Sequence, residues 1–389
     1  MPLSSAELQR YARHLVLPQV GREGQERLRD ASALVVGLGG LGSPAALYLA
    51  AAGVGRLGVL DFDTVAVHNL QRQVLHDTAA VDTPKTDSAR ARLEALNPHV
   101  RVETWQTTLT RENARGIIAD YDVVLDGTDS FATRYLVNDA CVLEGRVNVH
   151  ASIHRFEGQL SVFGAPGGPC YRCLHPVPPP AGSVPDCAEG GVLGVLPGLL
   201  GTLQATEALK LLLGIGKSMV GRLLVVETLT MHFREIALER DPWCEWCGTR
   251  TARELLEDYA AFCGAAPAAP PATALPPTRA TPSGEREITP EVLAMRLARR
   301  EALVVIDVRE EWEHAITHLD GAELVPMSAI PSRVNSLPRD AEFVVFCHHG
   351  ARSRMVADYL RASGFPRVLN LTGGIDRWSL TVDPSIPRY

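Results

Sequence analysis

The chain has 389 residues, room for two or three domains, with 46% hydrophobic and 21% charged residues. That composition is ordinary for a globular protein and excludes a fibrous or low-complexity chain. A net charge of −7 supplies no broad basic face, so no nucleic-acid partner is expected.

Residues 1–26 read as a short helical arm carrying Arg10-Tyr11-Ala12-Arg13. Residues 31–55 are uncharged, but Gly37, Gly39, Gly40, Gly42 and Pro44 interrupt them, which argues against a membrane span. Glu7 and Arg10 stand where a signal peptide would need an apolar core. A cytoplasmic protein without membrane contact is expected, whose eight cysteines serve as ligands or catalysts rather than disulfides.

A βαβ rhythm follows. Residues 33–36 predict a strand, 37–42 a Gly-rich loop, 45–52 a helix and 57–60 a second strand. Another strand at 121–125 runs into Asp126-Gly127-Thr128-Asp129. The rhythm implies an α/β fold with a Rossmann-like, doubly wound, mostly parallel sheet. Apolar runs at 147–153, 159–163 and 223–227 have little helix between them and predict an antiparallel extension, while 191–210 read as a core helix.

Gly37, Gly39, Gly40 and Gly42 fit GxGxxG between a strand and a helix, where backbone can approach phosphates. Asp61 ends the next strand and suits ribose hydroxyls. These residues do not separate NAD from ATP. Asn69, Arg72 and Lys85 add the polar and cationic groups that a triphosphate requires, and Asp129 can hold Mg²⁺.

Two C-x-x-C pairs, Cys170/Cys173 and Cys244/Cys247, match the bite of a four-thiolate Zn²⁺ site, which leaves no open position and is therefore structural. Between the pairs, Cys187 sits in a Pro- and Gly-rich stretch that predicts an exposed loop. Ala, Pro and Thr dominate residues 265–282 and predict a linker. Beyond it, strands at 303–307 and 343–347 and a helix at 353–362 predict a smaller α/β unit. The expected plan is residues 1–250, a helical end and linker at 251–286, and a second domain at 287–389. Cys347 opens the loop Cys347-His348-His349-Gly350-Ala351-Arg352; backbone N–H groups, the following helix N-terminus and Arg352 would favour its thiolate.

The runs Leu60-Asp61-Phe62-Asp63-Thr64-Val65, His68-Asn69-Leu70-Gln71-Arg72-Gln73 and Pro84-Lys85, behind the glycine loop, resemble the molybdopterin-synthase and thiamine-pathway adenylyltransferases of the ubiquitin-activating enzyme superfamily. The resemblance spans about residues 10–248. It implies that Asp61 binds ribose, that Asn69, Arg72 and Lys85 contact phosphates, and that Asp129, with Ser130 beside it, serves Mg²⁺ and ATP. It also implies a homodimer in which Arg13 reaches the other subunit's site, and a cysteine at position 187 that forms a thioester or acyl disulfide with the carrier. His14 and Ser130 depart from the usual glutamine and asparagine, without removing a charged group.

The Cys347 loop resembles the rhodanese active site, as do Asp307-Val308-Arg309 and Gly373-Gly374-Ile375-Asp376-Arg377-Trp378. Related phosphatases place the arginine one position later, where Ser353 stands here; the six-residue loop therefore favours a persulfide over phosphate. The two resemblances imply a ubiquitin-like sulfur-carrier protein ending in Gly-Gly, adenylated with ATP and then sulfurated. Thiosulfate or a cysteine desulfurase persulfide would be the donor, in a molybdopterin, thiamine or tRNA-thiolation type of pathway. An NAD-dependent dehydrogenase with a regulatory rhodanese-like domain is the alternative, and a non-catalytic carrier-binding scaffold a third reading.

Overall fold

The computed structural model describes residues 2–179, 191–249, 251–263 and 286–388. The chain divides between residues 268 and 269 into two compact units.

The first unit is built on β1 (Ser32–Val36), β2 (Arg56–Leu60), β3 (Arg101–Trp105), β4 (Val123–Asp126), β5 (Val147–His154), β6 (Glu157–Phe163), β7 (Arg222–Glu227) and β8 (His232–Ala237). They form one sheet in the order β3-β2-β1-β4-β5-β6-β7-β8. β1 lies at the centre with all five residues buried, which is why it reads as an unbroken apolar run and not as an alternating one. β3 to β5 pair in parallel, and β5 to β8 pair antiparallel. The antiparallel part therefore begins one strand later than the 147–153 run implied, because β5 still follows β4 through the crossover helix Phe131–Glu144.

The direction of winding reverses between β1 and β4, since β2 lies on one side of β1 and β4 on the other. Ligands of doubly wound sheets settle in the crevice at the carboxyl ends of such a strand pair. Two loops leave those ends here, 37–41 after β1 and 127–130 after β4. The helix after the first loop, Gly42–Ala52, begins three residues earlier than expected. It packs against the long helix Val195–Leu213. The approach is close enough that a Cβ on Gly201 would lie 2.1 Å from the Leu41 carbonyl oxygen.

The second unit contains β9 (Glu287–Ile288), β10 (Leu303–Asp307), β11 (Glu323–Leu324), β12 (Glu342–Phe346) and β13 (Val368–Leu371), in the order β11-β10-β12-β13-β9 and parallel throughout. Its central strand β12 carries Phe343, Val344, Val345 and Phe346, all fully buried. No helix among the described residues of either unit is long and apolar enough to cross a membrane.

Candidate active sites

The two loops at the switch point open onto a pocket of about 400 Å³. Gly37, Gly39, Gly40, Asp61, Asn69, Arg72, Lys85, Asp129 and Ser130 all line it, so residues spread over 94 positions meet in one place. Gly42 does not line it. Its hydrogen side faces the Gly37 carbonyl oxygen, 1.8 Å from where a Cβ would stand, so this glycine closes the turn beneath the pocket. Gly37 has φ +87°, a left-handed conformation in which glycine carries no strain. Arg13 is exposed on the short helix Ala12–Leu15 and is not among the lining residues.

Hydrogen bonds fix the floor of the pocket. Asp61, at the end of β2, accepts the Leu38 N–H at 2.7 Å on Oδ2 and the Asp63 N–H at 2.9 Å on Oδ1. The carboxylate thus ties the glycine loop to its own strand, and each oxygen keeps an acceptor position for a ligand. Lys85, the first residue of helix Lys85–Leu96, is buried with Nζ 3.0 Å from Asp63 Oδ2 and 3.9 Å from Asp61 Oδ2. Arg72 donates to Asn69 Oδ1 at 2.9 Å. The buried amide oxygen Gln73 Oε1 has no hydrogen-bond partner among the described residues.

On the other side, Asp126 ends β4 fully buried. It accepts the Thr128 N–H at 3.1 Å, the Thr128 hydroxyl at 2.7 Å and His150 Nδ1 at 2.9 Å. Burial alone would raise its pKa, but the His150 contact, the Arg134 charge and the Thr128 bond together hold it below the usual carboxylate range. Burial in turn pushes the His150 imidazole down, toward its neutral form. Arg134 also lines the pocket, with Nε and Nη2 each 3.2 Å from the Thr128 carbonyl oxygen. Sequence reading missed Arg134 and His150. Arg134 had a signal, four residues and so one turn after the helix cap Ser130, which follows Asp129. A larger surface depression, about 670 Å³, lies where β1, β4 and β5 begin, beside Glu23, Glu26, Asp30 and Asp122. Its acidic rim would repel a triphosphate, and it holds none of the motif residues.

The four cysteines form one cluster whose Sγ atoms all lie within 4.8 Å of one another. Cys170 and Cys244 are 3.7 Å apart and Cys173 and Cys247 3.3 Å. Four thiolates about 2.3 Å from a tetrahedral zinc stand about 3.8 Å from each other, so this donor set fits the ion. Hydrogen bonding to Cys170 and Cys247 holds Cys173 low, while the same crowding pushes Cys170 up. The cluster is anchored on helix Phe131–Glu144, the helix that Ser130 caps. Arg172 makes a two-pronged buried pair with Asp139 at 2.8 and 2.7 Å, and Tyr259 donates to the same carboxylate at 2.8 Å. Arg172→Ala should therefore lower the unfolding free energy by about 3–5 kcal/mol by leaving Asp139 buried and unpaired. Urea unfolding of the full chain, followed at the Trp246 side of the cluster, measures it; a loss below about 1 kcal/mol would refute the pair's role.

Cys187 lies outside the described residues. Cys347 directly follows β12 and is fully buried. Its Sγ accepts the Gly350 N–H at 3.1 Å and the Ser353 hydroxyl at 3.4 Å. The loop is held open toward the sulfur from behind: Ile375 N–H and Asp376 N–H donate to the carbonyl oxygens of Cys347 and His348 at 3.0 and 3.1 Å. Gly374 permits this, since a Cβ there would lie 2.2 Å from the His348 oxygen. The following helix, Ala351–Ala362, starts two residues earlier than expected, so Arg352 belongs to its first turn. Arg352 has an acidic partner. It pairs in two-pronged fashion with the buried Glu313, at 2.7 Å on each oxygen. Glu313 was missed because 39 residues separate the partners. Burial, followed by the neighbouring His349, pushes the His348 imidazole down to about 4.

Comparison with known proteins follows this division. The sequence matches the ThiF family over residues 11–246 and the rhodanese-like domain over residues 289–381. The chain belongs to the ThiF family. It is 45% identical to the probable adenylyltransferase/sulfurtransferase MoeZ of Mycobacterium tuberculosis, over all of this chain and 96% of that one. It is 54% identical to the sulfur carrier protein adenylyltransferase of Thermus thermophilus, over 68% of this chain and 99% of that one. The Escherichia coli MccB structure solved with MccA-N7isoASN superposes with a TM-score of 0.56 at 20% identity, covering 62% of this chain and 75% of that one, which speaks for the fold alone. The chain is thus an adenylyltransferase joined to a sulfurtransferase, and ATP is the nucleotide its first activity requires.

Proposed function

We propose that this enzyme adenylates the C-terminal carboxylate of a ubiquitin-like sulfur-carrier protein ending in Gly-Gly and converts it to a thiocarboxylate. The supporting observation is the convergence of the glycine loop, Asp61, Asn69, Arg72, Lys85 and Asp129 on one pocket. Asp61 would accept from the ribose, and Asn69, Arg72, Lys85 and Arg134 would face the phosphates. Arg13 would enter the pocket of a second copy, so the working form is a homodimer in the cytoplasm. Asp129 would hold Mg²⁺, a hard cation suited to a carboxylate, which supplies charge neutralisation at the phosphates. Cys170, Cys173, Cys244 and Cys247 would hold a structural Zn²⁺.

The carrier carboxylate attacks the α-phosphorus, and pyrophosphate leaves. The outer sulfur of a Cys347 persulfide, loaded from thiosulfate or a cysteine desulfurase, then attacks the acyl carbon and AMP leaves. An acyl disulfide results. A thiol, Cys187 in this reading, attacks Cys347 Sγ and releases the thiocarboxylate, leaving a disulfide that an external thiol reduces. The expected result is ATP–pyrophosphate exchange only with a carrier ending in Gly-Gly. Exchange at equal rate with a carrier truncated by those two residues would refute the substrate assignment.

A further inference from the structure

A second group of ligating side chains lies beside the sulfur loop, in the unit that does not contain the four cysteines. His348, His349 and Asp376 each offer one ligand atom, and the three atoms lie within 4.8 Å of one another. The two imidazoles stack with ring centres 3.9 Å apart and planes inclined by 27°. His349 Nδ1 is 3.8 Å from Asp376 Oδ2. Ligands about 2.1 Å from a tetrahedral zinc stand about 3.4 Å apart, so the His349–Asp376 pair has to close by about 0.4 Å, and the exposed His349 ring has to turn out of its stack on His348 before both imidazoles face one ion.

The carboxylate is oriented for this. Asp376 sits in the first turn of helix Gly374–Thr381, and its N–H holds the His348 carbonyl at 3.1 Å. Arg388 grips Oδ1 at 2.7 Å and reaches Oδ2 only at 3.3 Å. Oδ2, the oxygen facing His349, is the one more easily given to a cation. A partner that fixes one oxygen of a ligating carboxylate raises a site's affinity by orienting the other.

We propose that His348, His349 and Asp376 form an exchangeable site for a borderline divalent metal such as Zn²⁺, and that its occupancy slows sulfur transfer at Cys347. Two imidazoles and one carboxylate are the donor set of open zinc sites, with a fourth position left to water. The ion ties residues 348 and 349 to the helix that already holds the back of the loop. The loop then loses the freedom to admit a donor or an acceptor.

The test is a calorimetric Zn²⁺ titration of the full chain already carrying one zinc per chain in its four-cysteine cluster. One further equivalent, removable by EDTA, is expected. His349→Ala and Asp376→Asn should each weaken it at least about tenfold, and Cys347→Ser should retain it. His349 is solvent-exposed, so its substitution leaves the core intact, which equal thermal unfolding verifies. In parallel, thiosulfate sulfur transfer by the native chain should fall over the same zinc range, and His349→Ala should need at least about tenfold more zinc for the same loss. No further equivalent, or one undiminished in both variants, overturns the site; so does its loss in Cys347→Ser, which would put the ion on the nucleophile. Binding without inhibition overturns the regulatory half. That half rests on the sulfur-transfer reading of Cys347, whereas the calorimetry does not, so the two failures appear in different arms.

Discussion

Cys347→Ala is expected to reduce sulfur transfer from thiosulfate by about 10³-fold or more, to background, while leaving ATP–pyrophosphate exchange near the native rate. No other cysteine occurs after Cys263, so the second unit has no replacement nucleophile. The loss is chemical and not structural. Sγ is buried at the end of β12, and removing it deletes one atom from a core that keeps Phe343, Val345 and Phe346 in place. What disappears is the atom on which Gly350 N–H and the Ser353 hydroxyl converge. Ser353→Ala should lose far less, since the backbone donor remains. Cys347→Ser provides the second reading, with the same shape and a hydroxyl that forms no persulfide. Loss of both activities in a variant with native thermal unfolding would refute the division of labour between the two units.

What the sequence made legible was local. β1 and β12 are buried on both faces, so their apolar runs declare them. The C-x-x-C pairs and the Cys347 loop are set by neighbours within six residues. β8 was illegible because all six of its residues are exposed and no face is marked by burial. β3, Arg-Val-Glu-Thr-Trp from Arg101, hides its role for a related reason: only Val102 is buried. The helix start at Ala351 was misread because Gly350, at φ +97°, looks like a loop residue while serving as the helix cap. Partners that fold together from a distance left no local trace. Asp126 meets His150 across two adjacent strands, Arg352 meets Glu313, and Cys170 meets Cys244 from 74 residues away. The cysteines were still pairable because zinc demands four of them; a lone glutamate or histidine carries no such arithmetic.

Lys85→Ala and Asp129→Ala should each lower ATP–pyrophosphate exchange by about 10²–10³, the loss of about 3–4 kcal/mol of transition-state stabilisation. The two substitutions change the charge of the pocket in opposite directions. Lys85 Nζ sits between Asp63 and Asp61, so removing it deletes a cation and also exposes two carboxylates to the incoming triphosphate. The pocket changes toward negative by one charge, with two anions left uncompensated, and Lys85→Ala should exceed Arg72→Ala, whose guanidinium rests on the neutral Asn69. Asp129→Ala removes a negative charge from the same pocket. If Asp129 acted only through its own field, its loss would ease triphosphate binding and raise exchange. A fall therefore marks a role that requires the carboxylate itself, as a ligand for the cation that bridges phosphate oxygens. Raising Mg²⁺ should recover part of the Asp129→Ala loss and none of the Lys85→Ala loss. Thiosulfate sulfur transfer, which depends on the other unit, should stay native in both variants, and equal thermal unfolding of the first unit reports that the pocket is folded. Exchange unchanged in Asp129→Ala would remove the metal-binding assignment, and exchange raised in it would reverse the electrostatic reading of the pocket.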